Sequence, residues 1–91
     1  MRIWAKIICD QRIYNQTVRE FTSLRSFSNS EIEHVVHELC QELDLSRPVI
    51  LRKHFNEFQQ FQRIVFRPAD FIEPIDFDYF EIELIKEKKK K

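Results

Sequence analysis

No residue of this 91-residue chain is glycine. Average usage of about 7 % would place roughly six glycines in a chain of this length. Glycine lets backbone N–H groups wrap closely around a phosphate and allows positive φ in tight loops. Its absence removes the P-loop, the dinucleotide-binding fingerprint, the nucleophile elbow and the EF-hand loop. Many common enzymes are excluded by this one feature, and the remaining turns must be made by side-chain-bearing residues such as Asp, which tolerates the left-handed region.

The length suits one domain with one core. Apolar residues make up 43 % and charged residues 33 % of the sequence, a globular rather than a disordered composition. No stretch approaches the ~18 apolar residues of a membrane span, and Met1-Arg2 leads straight into a strand-like segment without a cleavage site. Two cysteines, Cys9 and Cys40, fit a reducing compartment, so a cytoplasmic location without membrane contact is expected.

Residues 2–19 alternate with period two and read as a β-hairpin turning at Asp10-Gln11. A uniform two-residue loop pairs Ile7 with Tyr14, Ala5 with Gln16 and Ile3 with Val18 on one face. The opposite face then carries Ile8 with Ile13, Lys6 with Asn15 and Trp4 with Thr17. A Ser/Thr-rich connector over 20–29 leads to a helix cap. Ser30 with Glu33 forms a capping box, and Ser28 with Glu31 serves nearly as well. Ile32, Val35, Val36, Leu39, Cys40 and Leu43 recur at helical spacing, predicting an amphipathic helix over 30–44 that docks on the Ile3/Ile7/Val18 face.

Pro48 bars continuation of that helix. Val49-Ile50-Leu51 fits either a short strand or the approach to a second helix, and Leu51, Phe55 and Phe58 favour a helix over about 52–61. Ile64–Phe66 reads as a brief strand stopped by Pro68, 69–75 as irregular, and 77–85 as a final strand. In that strand Phe80, Ile82 and Leu84 point one way, and Glu81 and Glu83 the other. The expected architecture is α+β: a small antiparallel or mixed sheet, made of the N-terminal hairpin and the C-terminal strand, packed on one main amphipathic helix with a second short helix. One domain covers 1–85, and 86–91 form a basic, disordered tail.

The opening Arg2-Ile3-Trp4-Ala5-Lys6-Ile7-Ile8 and the closing Phe71-Ile72-Glu73-Pro74-Ile75-Asp76-Phe77-Asp78-Tyr79 resemble a group of short uncharacterised bacterial proteins, chiefly clostridial. The likeness is confined to the two ends of the chain. It implies a bacterial origin and brings no activity, cofactor or site with it.

Three clusters are candidates for chemistry. His34, His37 and Glu38 share a helical face and form a weak metal constellation, without the i, i+4 histidines around a glutamate of a zinc protease. Cys9 and Cys40 fall in phase with core residues and read as buried small hydrophobes; His54 is a base that nothing places near either. Asp70, Glu73, Asp76, Asp78, Glu81 and Glu83 make a negative stretch that strand alternation explains as a solvated face.

Two surfaces are candidates for binding. Trp4, Ile8 and Ile13 form an apolar cluster on the hairpin face away from the first helix, to be covered by the Phe-rich half of the chain or by a second protein. Arg47, Arg52, Lys53, Arg63 and Arg67, with nearby phenylalanines and the Lys86–Lys91 tail, suggest a nucleic-acid or other polyanion platform. The preferred reading is a non-enzymatic interaction module without a cofactor, binding a protein partner or itself as a homodimer. A polyanion binder using 47–67 and the tail is the alternative.

Overall fold

Asp10 and Gln11 both adopt positive φ, 54° and 64°, which makes the two-residue connection a type I′ turn. The twist of that turn matches the twist of the strands it joins, β1 (Arg2–Cys9) and β2 (Arg12–Glu20). Asp78 secures it: its side chain accepts from the Asp10 N–H at 2.9 Å, and its own N–H donates to the Ile8 carbonyl at 2.8 Å. The computed structural model describes residues 2–21 and 28–85, so most of the 20–29 connector and the whole basic tail lie outside the described residues.

The hairpin register departs from the uniform ladder after two pairs, Cys9 with Arg12 and Ile8 with Ile13. Ile8 faces Ile13 as expected, but Ile7 faces Asn15, so Tyr14 is an extra residue in a β-bulge. Every later pair shifts by one: Ala5 faces Thr17, Trp4 faces Val18 and Ile3 faces Arg19. The expected pairings of Ile3 with Val18 and Trp4 with Thr17 are therefore wrong. Because side chains alternate, the shift turns Val18 away from the helices and turns Arg19 toward them.

Ser28, rather than Ser30, caps α1 (Asn29–Glu42). The Glu31 N–H donates to Ser28 Oγ at 3.3 Å, and the Ser28 N–H donates to Glu31 Oε1 at 3.1 Å, a reciprocal box that satisfies orphan donors of the first turn. The helix ends in a Schellman motif. Leu45 N–H reaches the Cys40 carbonyl, Asp44 N–H reaches that of Gln41, and Asp44 takes φ 57° where glycine is usual.

Next come α2 (Arg52–Phe61), β3 (Arg63–Phe66), a single 3₁₀ turn over Pro68–Asp70, and β4 (Tyr79–Ile85), which starts two residues later than the periodicity suggests. The four strands form one antiparallel sheet in the order β2-β1-β4-β3. The fold is α+β, with β3 added to the expected hairpin and last strand.

Both helices lie on the same side of the sheet. Ile3, Ala5 and Ile7 of β1, Phe80 and Ile82 of β4, and Ile64 and Phe66 of β3 meet the α1 stripe and Phe58 of α2 in one core. Ile3, Ile64 and Ile82 line a common apolar void with Val36 and Phe58, which places both helices over one face. At the far end the rings of Phe66 and Phe80 stack at 6.1 Å, and Phe71 meets Phe66 edge-on at 6.5 Å. Among the described residues, no helix is long and apolar enough to cross a membrane.

Candidate functional site

The sheet face opposite the helices carries a checkerboard fixed by the register. Ile13, Ile8 and Tyr79 form one row across the strands; Gln16, Lys6, Glu81 and Val65 form the next; Val18, Trp4, Glu83 and Arg63 form the third. The buried Phe58, Phe66, Phe71 and Phe80 pack on the other side.

A charged ladder runs through the middle of this face. Lys6 Nζ lies 3.1 Å from Glu83 Oε1 and 3.6 Å from Glu81 Oε1, and Arg63 Nη1 lies 3.5 Å from Glu81 Oε2. The same ammonium sits 3.9 Å from the centre of the Trp4 ring, and the indole N–H donates to Gln16 Oε1 at 2.8 Å. Trp4 is thus held by one neighbour on its face and another at its nitrogen. Glu81, read from alternation as a solvated acid, is only 8 % exposed and is held between two cations. Alternation gave its direction correctly but not its burial, which comes from the long side chains around it.

Exposure on this side is concentrated on the edge strand. Ile8 is buried and Trp4 half-buried, but Ile13 is 45 % exposed and Val18 49 %. Phe61, at the end of α2, borders Trp4 and is also exposed. The apolar cluster anticipated at Trp4, Ile8 and Ile13 therefore exists as neighbours on one face, with Lys6 between Trp4 and Ile8. The available apolar surface extends to Val18, which a reading without the bulge places elsewhere; the bulged Tyr14, 77 % exposed, borders a depression with Ile7, Asn15 and Leu43 instead.

The inner side of β2 lies beneath α1. Arg19 Nη1 meets Glu38 Oε1 at 3.2 Å and its Nε meets Glu42 Oε1 at 3.4 Å, while the Thr17 hydroxyl donates to Glu42. Glu38 is thereby drawn away from the expected metal constellation. His34 is exposed, and His37 borders a depression with Glu33, Arg47 and Ile50. Among the described residues, no three His, Cys, Asp or Glu side chains gather to hold a metal ion.

The basic residues scatter. Arg47 lies beside His37, Arg52 and Lys53 occupy the first turn of α2, and Arg63 and Arg67 border a shallow depression with Tyr79 on the open face. Arg63 is engaged by Glu81, and Lys53 lies 3.9 Å from Asp70.

Cys40 is buried, and burial pushes its thiol up to about 12. Cys9, expected to be buried, is half-buried in a broad depression between the hairpin and the segment around Asp76. Desolvation and then the charges of Asp10, Asp78 and Asp76 push its thiol above the ordinary value. Both thiols are protonated at neutral pH, the unreactive form.

A histidine–carboxylate pair missed in the sequence sits inside the fold. His54, with no exposed surface, occupies the third position of α2, where its Nδ1 accepts from the Leu51 N–H at 2.9 Å. Its Nε2 lies 3.4 Å from Asp70 Oδ2, an oxygen that also accepts from the Arg67 N–H at 2.9 Å. The ring packs 4.6 Å from that of Phe66. Desolvation lowers the His54 pKa below the ordinary value and outweighs the Asp70 carboxylate, which acts the other way. The signal available beforehand was weak: a polar acceptor three residues beyond Leu51, at the start of a helix without a Ser, Thr, Asp or Asn cap.

Comparison with family models, curated proteins and solved structures returns no match to this chain.

Proposed function

We propose that this protein is a non-enzymatic interaction module that associates with a second copy of itself along β2. The observation that carries the reading is the state of that strand. It is nine residues long, about 30 Å, and it ends the sheet, so among the described residues no strand pairs with its outer edge. Its Ile13, Tyr14 and Val18 side chains stand exposed beside it.

An unpaired edge of this length is a template for another strand, and beyond the bulge at Tyr14 the run Asn15–Glu20 pairs with β1 without interruption. β3, the other edge, is only four residues long. Antiparallel pairing of β2 with its own copy obeys two-fold symmetry, the commonest form of association. Backbone hydrogen bonds supply the affinity in this mode, and exposed side chains supply the selectivity. Pairing would make one eight-stranded sheet and bring the two Ile13/Val18 sets together beside Trp4 and Ile8.

Solution mass measured by light scattering across a concentration series tests the reading. The expected result is a dimer that dissociates in the Ile13→Glu, Val18→Lys double variant, with the thermal midpoint of the diluted protein unchanged. A wild-type chain that stays monomeric at every concentration contradicts it.

A further inference from the structure

A short strap, residues 48–51, joins α1 to α2 and is held down at few points. Pro48 bridges to Phe71, and the Val49 N–H donates to the Asp70 carbonyl at 2.7 Å. The Leu51 N–H donates to His54 Nδ1, and the imidazole stands against Asp70 on its other side. Val49 and Leu51 are exposed, while Pro48 is buried and Ile50 packs against the core. Beyond that apolar hold, the polar contacts that attach it gather around one ring.

That ring is committed to one protonation state. Because Nδ1 accepts from a backbone N–H, the proton of the neutral ring sits on Nε2, facing Asp70. Nε2 is buried and has no aligned hydrogen-bond acceptor. A second proton can only go to Nδ1, where it would meet the Leu51 N–H across 2.9 Å, two donors facing each other. The Leu51 N–H would lose its acceptor at the start of a helix that has no side-chain cap at Leu51 itself.

We propose that His54 is the trigger of an acid-operated latch, whose protonation uncaps α2 and frees the 48–51 strap from the 70–71 segment. The charged groups around the ring divide. Asp70, from the 3₁₀ turn, and Glu57, one turn along α2, favour the imidazolium, while Lys53 opposes it. Burial is the largest influence and favours the neutral ring. The closed latch therefore binds the proton less readily than the open one, in which the ring meets water and titrates near its ordinary value of about 6.5. Above that pH the latch is fully closed. As pH falls below it, opening becomes up to tenfold more favourable per pH unit, until the lowered pKa of the closed state is reached.

Nuclear magnetic resonance on the intact protein tests this. The wild-type ring is expected as the Nε2–H tautomer at pH 7.5, with a pKa below 6.5. Amide protection at Val49 and Leu51 should fall between pH 7 and pH 5 while that of β1 and β4 holds. In His54→Gln the amide oxygen still accepts from the Leu51 N–H but does not titrate, so protection should stay flat across that window. His37 lies across the strap, and His37→Gln should leave the wild-type loss intact. The latch is overturned if His54 titrates at or above 6.5, if wild-type protection is flat, if His54→Gln loses protection equally, or if His37→Gln abolishes the loss. Should His54→Gln fail to fold, the wild-type pKa and tautomer decide.

Discussion

Asp10, Gln11, Asp44 and Gln62 all hold positive φ in a chain without glycine. A left-handed conformation costs a side-chain-bearing residue roughly 1–2 kcal/mol, though less for Asp, which bonds locally. Asp44 has a further disadvantage, since its negative charge stands at the carbonyl end of α1, where the helix dipole is also negative. Asp44→Gly should therefore raise stability by about 1 kcal/mol, seen as a rise of roughly 4–8 °C in the thermal midpoint. A midpoint that falls would mean that the Asp44 side chain supports the turn. Glu81→Ala should act the other way, costing about 1–3 kcal/mol in urea titration, because Lys6 and Arg63 lose the carboxylate between them. The turn at Asp10-Gln11 was legible because alternating strands bracket it. The left-handed positions Asp44 and Gln62 were not, since each is set by how a helix ends against the fold.

At the scale of elements, the decisive event is one extra residue. A reading of β2 by strict alternation is correct at Ile13 and reversed from Asn15 onward, because the bulge at Tyr14 changes parity. Nothing local announces a bulge; Arg19 reaching Glu38 and Glu42 beneath α1 is the tertiary gain that selects the shifted register. Deleting Tyr14 removes the extra residue, so Ile13 runs directly into Asn15 and the pairs beyond should stay as they are, with Arg19 beneath α1 and Val18 on the open face. The expected outcome is a folded hairpin that keeps the Arg19–Glu38 contact in the spectra of the variant. Loss of that contact would contradict a bulge at Tyr14. By contrast α1 was legible because six apolar residues repeat at helical spacing, and α2 because Phe55 and Phe58 do the same over a shorter span. The polar anchor of α2 was hidden, since His54 and Asp70 are 16 residues apart and meet only after β3 has turned the chain.

On the scale of the whole molecule, two layers leave one sheet face without a helix among the described residues. The centre of that face is closed by its own ladder of Lys6, Glu81, Glu83 and Arg63 around Trp4, while the β2 side remains apolar and open. This asymmetry points to lateral growth of the sheet rather than stacking of two faces, because stacking would bury the ladder's charges against apolar surface at high desolvation cost. Hydrogen exchange of the β2 amides, followed from dilute to concentrated protein, reads that edge directly. If copies pair along β2, the outward-pointing amides between Asn15 and Arg19 gain protection as concentration rises, while those of β3 do not. Exchange in β2 that is the same at every concentration would contradict the pairing.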